Sequence, residues 1–287
     1  MQHRFAVAII LASFLATGTA AQDRELVFGV TEGVTYQATP KEIRDKFAQI
    51  ADYVGKATGR RVRIAIVPAY NDVRAGLAKQ EYDVVFIHPA HVAMAEIKAG
   101  RYKSVAWTSG FTDYTVSLLI NADGPLKTLD DLKGHTLVTP DPDSITAMMV
   151  RAMLRTSKLP IITAKPDGHN AQDIAASIRV ISTRYQDAVP FYIENGFAQA
   201  GATAAKSVVK SWTDKGGKVL AQSRAVPIKQ WLVTNTMPAD EQDRIRTALL
   251  GAGQSKPGRD ALDAIGYKGF VATNPELEAS TIAWLGL

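Results

Sequence analysis

Residues 134–158, GHTLVTPDPDSITAMMVRAMLRTSK, form one strand–turn–helix unit. Thr136 to Thr139 make a short apolar run of strand length, and Pro140-Asp141-Pro142-Asp143 supplies the turn. Ile145, Met148, Met149, Ala152 and Met153 then recur at helical spacing on one face. Asp143 or Ser144 is the natural N-cap. A helix entered this way points unsatisfied N–H groups at the turn, with partial positive charge behind them. The Ser144 and Thr146 hydroxyls add donors at the same spot, which makes the tip a candidate anion seat. An ordinary capped helix with nothing bound has the same sequence features.

Upstream of this unit, strand and helix alternate. Residues 25–30, 61–67, 83–87 and 103–108 read as strands, and helices fill 40–59, 71–80 and 90–99. The first helix has Pro40 in its first turn after Thr39, an apolar stripe from Ile43 to Val54, and Gly59 as its stop. Continuous apolar strands alternating with helices predict an α/β fold on a parallel sheet covered on both faces. Residues 114–121 form another strand, and residues 128–133 one or two helical turns. Downstream, strands are expected at 180–183, 200–203 and 218–222, with helices at 171–178, 187–195 and 204–214. Residues 223–227 return to a strand at 231–235, and three helices at 239–250, 258–265 and 275–285 finish the chain.

Residues 1–21 stand apart. Arg4 precedes an apolar run, and small residues follow through Gly18-Thr19-Ala20-Ala21, the three parts of a secretory leader cut after Ala21. A periplasmic protein is expected, and the lack of any cysteine excludes a lipid-modified N-terminal cysteine, disulfides and thiolate metal sites. With 46% hydrophobic and 21% charged residues, the 287-residue chain can bury a sizeable core. Its formal charge is +5, and taking Arg4 from the 33 basic residues against 28 acidic ones leaves +4. The basic residues are scattered, so the charge suits a small anionic ligand and argues against nucleic acid.

Ligands of open α/β sheets sit beyond the carboxyl ends of the strands. Those ends carry Thr31, Glu32, Tyr70, His88 and His91, with Tyr114 opening the strand into the second half. Ser144 and Thr146 open the central helix, and Tyr185 and Gln186 precede a later one. Hydroxyls, phenols and imidazoles with few carboxylates suit a hydrogen-bonded oxyanion. Each also has a plainer role: Tyr70 and Tyr114 as half-buried packing residues, Glu32 as a turn cap. His88 and His91 lack a third ligand, so no metal is expected. No cofactor or nucleotide fingerprint and no nucleophile–base arrangement occurs, so no cofactor and no enzyme activity are expected.

In order along the chain stand FGVTEG from Phe28, AYNDVRAGL from Ala69 and DVVFIHPAHVAMAE from Asp83. YTVSLLIN from Tyr114, LKTLDDLKGHTLVTPDPDSITA from Leu126 and IGYKGFV from Ile265 follow. Their order and spacing resemble the phosphate/phosphite/phosphonate-type solute-binding proteins of ABC importers. The resemblance implies a two-domain type II periplasmic binding protein, each lobe a mostly parallel sheet flanked by helices, with two hinge crossings. Residues 22–118 and 226–287 would form one lobe and 119–225 the other, closing on ligand by hinge motion. It implies an exported, monomeric receptor that captures a small oxyanion and delivers it to an ABC permease in the inner membrane. Asp141, Pro142, Ser144 and Thr146 match the family's oxyanion-holding turn, and Tyr70 and Tyr114 its cleft tyrosines. The family's Gly-His pair matches either Gly168-His169 or the Tyr185-Gln186 segment, and the second fits the spacing better. Ile145 stands where the family commonly has a hydroxyl, and the carboxylates that read an aminoalkyl group have no counterpart near Ala200 and Gly201. The alternatives are a receptor of the same fold for a thiamine precursor or sulfonate, and a periplasmic ligand sensor.

Overall fold

The computed structural model describes residues 24–32, 38–163 and 171–287. The expected leader, part of the loop after the first strand, and the Gly168-His169 alternative lie outside the described residues.

The first lobe begins with β1 (Leu26–Thr31), α1 (Pro40–Thr58), β2 (Val62–Ile66), α2 (Tyr70–Ala78), β3 (Val84–Ile87), α3 (Ala90–Lys98) and β4 (Tyr102–Thr108). Local sequence explains the helix ends. Thr39 and Glu42 close a capping box on α1, and Gly59 ends it in the left-handed conformation at φ 73°. The second lobe follows as β5 (Ser117–Ile120), β6 (Thr136–Thr139), α4 (Ile145–Thr156), β7 (Ile161–Thr163), α5 (Ala171–Ala176) and β8 (Ile178–Ser182). It ends with α6 (Val189–Glu194), β9 (Ala200–Thr203), α7 (Lys206–Asp214) and β10 (Lys218–Gln222). The chain then returns as β11 (Gln230–Thr234), α8 (Ala239–Leu250), α9 (Lys256–Ile265), β12 (Phe270–Val271) and α10 (Pro275–Leu285).

Each lobe has a six-stranded sheet, ordered β12-β4-β11-β3-β1-β2 and β10-β5-β9-β6-β8-β7. Both are mixed, with parallel pairing of β1 with β2 and β3 in the first and of β9, β6, β8 and β7 in the second. The returning β11 inserts between β3 and β4 and runs antiparallel to both. In the second sheet β5 runs antiparallel to β9 and β10. A strand that comes back from another lobe need not obey the crossover rule that keeps βαβ units parallel.

Two segments cross between the lobes, and Tyr114 and Val226 exchange backbone hydrogen bonds where they pass. The core of the first lobe stacks Phe28, Phe47, Phe86 and Trp231. The second core gathers Leu118, Leu137, Met149 and Ile178, together with Ala90 and Met94 from α3 and Leu285 from α10. The α3 and α10 helices therefore pack against α4 along the seam. Among the described residues no helix is long and apolar enough to cross a membrane.

Candidate functional site

Ser144 is the N-cap of α4, its Oγ accepting from the Ala147 amide at 3.1 Å. Asp143 instead takes part in the turn, where its amide donates to Asp141 Oδ1 at 2.8 Å. The next two amides of the helix, Ile145 and Thr146, find no acceptor among the described residues. They are the unpaired ends of the helix dipole.

Beside them three segments meet. The Tyr114 hydroxyl lies 3.0 Å from Thr146 Oγ1, and Gln186 Nε2 lies 3.5 Å from the same phenol. Gln186 Oε1 accepts from the Ala204 amide at 2.6 Å and from Thr203 Oγ1 at 3.2 Å. Those two bonds fix which end of the carboxamide faces Tyr114: the NH₂ end. The phenol therefore accepts from Gln186, and it shares a further hydrogen bond with Thr146 in which either oxygen can donate. With the phenol as donor, the Thr146 proton is left to point at a ligand. Burial pushes the Tyr114 phenol above its ordinary pKa, which keeps it a neutral hydroxyl.

On the facing lobe, Arg74 of α2 stacks over Tyr70 at 5.9 Å and pairs with Asp143 across the seam at 3.2 Å. Arg151 of α4 donates to the Pro142 carbonyl at 2.8 Å. His91, in the first turn of α3, is only 4% exposed and feels the charges of Arg74, Arg151 and Asp143. Burial, reinforced by the two arginines, pushes its pKa down to about 3, so the ring is neutral at pH 7. Its Nδ1 has no hydrogen-bond partner among the described residues.

The structure does not bring the remaining predicted residues into this group. Thr31 ends β1, and its carbonyl accepts from the His88 amide at 3.0 Å. His88 sits within 3.0 Å of the Ile228 carbonyl through Nδ1, and desolvation lowers its pKa to about 4. Glu32 is buried in an internal cluster. Lys46 and Tyr267 each donate to it at 2.7 Å, and Lys229 Nζ stands 3.7 Å away. Burial pushes the Glu32 carboxyl up, but the Lys46 and Tyr267 hydrogen bonds and both lysine charges outweigh it, leaving its pKa below the ordinary value. Desolvation in turn lowers Lys229 to about 8. Tyr185 carries Arg184 over its ring at 5.3 Å, while its neighbour Gln186 reaches the site.

Sequence reasoning missed Arg74 and Thr203. Thr203 ends β9, so the strand-end rule that named the others would have found it. Arg74 follows Tyr70 by one helical turn and had no signal of its own. Among the described residues no group of three or more His, Asp or Glu side chains could hold a metal ion. Two surface hollows of about 540 and 440 Å³ border Trp212 but share no residue with this group. Unpaired donors, not hollow volume, mark this group as the candidate site.

A model of the family described as ABC transporter, phosphonate, periplasmic substrate-binding protein matches residues 33–277. The fold is similar to a Xanthomonas citri protein solved with ATP bound, at a TM-score of 0.74 and 18% identity over 91% of this chain and 96% of that one. PhnD1 from Prochlorococcus marinus in complex with methylphosphonate matches at 0.57 and 13% identity, covering 90% and 96%. The aliphatic sulphonate binding protein SsuA from Escherichia coli matches at 0.50 and 14% identity, covering 91% of each chain.

Proposed function

This chain belongs to the phosphonate-type periplasmic substrate-binding proteins of ABC transporters, and we propose that it holds a small phosphonate-class oxyanion at the tip of α4 and delivers it to a membrane permease. Such a family member binds and hands over a solute, so catalysis has no part in the mechanism. The observation that carries this reading is the hydrogen-bonded group of Gln186, Tyr114 and Thr146 beside the unpaired Ile145 and Thr146 amides. Preorganised donors at a helix N-terminus replace the water around an oxyanion without reorganising.

Closure follows from where the groups come from. Thr146 and Gln186 belong to the second lobe, Tyr114 to the crossing, and Tyr70 and Arg74 to the first lobe. A ligand that touches all three binds the closed arrangement better than the open one, and its differential affinity shifts the equilibrium. Arg74 and Arg151 balance Asp141 and Asp143 beside the seat, so the amide and hydroxyl donors, not a net charge, favour an anion. The carboxylates of the turn are already engaged: Asp143 by Arg74 and Asp141 by the Asp143 amide. That argues for a ligand without an amino group, such as methylphosphonate, phosphite or phosphate. Export through the residue 1–21 leader and action as a monomer belong to the same proposal.

Thermal shift against methylphosphonate, phosphite, phosphate, 2-aminoethylphosphonate, an alkylsulfonate and ATP tests it. A bound ligand raises the melting temperature by mass action. The expected result is a rise with one of the first three and a smaller one with the aminoalkyl compound. A rise with sulfonate or ATP alone would overturn it.

A further inference from the structure

His91 combines three features that a packing histidine does not need. It is almost wholly buried, its Nδ1 has no partner among the described residues, and it shares charged neighbours with the tip of α4. Asp143 immediately precedes the α4 cap, Arg151 donates to the Pro142 carbonyl in the same turn, and Arg74 pairs with Asp143. The α3 helix packs against both α2 and α4, which brings its first turn to the seam between the lobes. A buried polar atom left unpaired costs stability, so one that persists beside a binding seat points to a partner that comes and goes.

Resting on the seat proposed above, we propose that His91 is a specificity-determining ligand contact whose Nδ1–H donates a hydrogen bond to an oxygen of the bound phosphonate. The donor comes from α3, whose Ala90 and Met94 pack into the second lobe's core, so it stands at the seam beside α4. Neutral at working pH, the ring adds direction without adding charge. It also supplies a donor where the Ile145 side chain supplies none.

The test uses the full chain and methylphosphonate. Calorimetry should show His91→Leu weakening binding about 10- to 100-fold, the loss of one hydrogen bond to a charged ligand. His91→Asn, which places an N–H near the Nδ1 position, should recover most of that loss. Unliganded His91→Leu should melt at or above the wild-type temperature, because the substitution removes an unpaired polar atom; a histidine kept for packing would give a lower one. Without any variant, the ¹⁵N resonance of His91 Nδ1 should move on saturation with methylphosphonate. An unchanged Kd in His91→Leu, or an unmoved Nδ1 resonance in wild type that binds, overturns the role of His91 and leaves the seat standing. Wild type that binds neither methylphosphonate, phosphite nor phosphate overturns the seat, and the His91 contact with it.

Discussion

At the carboxyl end of β1, on the first lobe, Glu32 is enclosed by Lys46, Lys229 and Tyr267. Beyond the carboxyl end of β6, on the second lobe, the tip of α4 offers neutral hydroxyls and amides instead. Both places are where an α/β sheet puts its ligands, yet they do different work. The first cluster is satisfied internally: Lys229 also donates to Tyr267 at 2.7 Å and lies over Phe111 at 4.4 Å. It sits where the returning chain enters β11, and it fixes that crossing to β1 and α1. The second group keeps donors in reserve. A charged group that already has its counter-charges holds a fold together, whereas a neutral donor with an open valence can be exchanged for a ligand.

The largest effect that would break this contrast is on stability. Glu32→Ala leaves two lysines without their buried counter-charge and should cost about 3 to 5 kcal/mol, read by urea unfolding. A loss below about 1 kcal/mol would mean that the cluster is not structural. Thr146→Val, by contrast, should barely move the unfolding midpoint yet weaken methylphosphonate binding by roughly 10-fold or more. If Glu32→Ala instead folded normally and lost affinity, the two roles would be reversed.

The pH dependence sharpens the comparison. His91 has a folded pKa of about 3, well below the unfolded value near 6.5. Between those values the unfolded chain binds more protons, so the neutral-ring contribution is complete above pH 6.5 and is lost as pH falls toward 3. His88, lowered to about 4, acts in the same direction. Stability should therefore fall below pH 6.5, and His91→Phe should flatten the slope by up to about 1.4 kcal/mol per pH unit. An identical slope in the variant would show that His91 is not held neutral.

The smallest effect belongs to the bridge across the seam. Arg74 and Asp143 are both partly exposed, so Arg74→Ala should change stability by less than about 1 kcal/mol. Any loss of affinity in that variant should shrink as salt is raised, because an exposed charge is screened. A salt-independent loss would place Arg74 directly on the ligand.

What the sequence made legible follows the range of the forces involved. The unit from β6 to α4 was readable because its strand, turn, cap and apolar stripe lie within a score of residues. The same holds for α1, whose Thr39–Glu42 box and Gly59 are local signals. The edge strands β7 and β12 were not foreseen: at three and two residues, with partly exposed side chains, backbone pairing defines them and no hydrophobic pattern does. Nor was the insertion of β11 between β3 and β4, which depends on partners well over a hundred residues away. The site divides in the same way. Ser144, Thr146, Tyr114 and Gln186 could be named because caps and strand ends are local features. The enclosure of Glu32 depends on Lys229 and on Tyr267, which is 235 residues distant, and no spacing announces it.

A crystal structure of the protein with methylphosphonate, located by the anomalous signal of phosphorus, tests the central claim most directly. Phosphonate oxygens should lie within hydrogen-bond distance of Thr146 Oγ1, Tyr114 and the Ile145 and Thr146 amides, with Glu32 still held by Lys46 and Tyr267. Phosphorus found against Lys46 and Lys229 with Glu32 displaced, or anywhere that leaves the tip of α4 unoccupied, would contradict it.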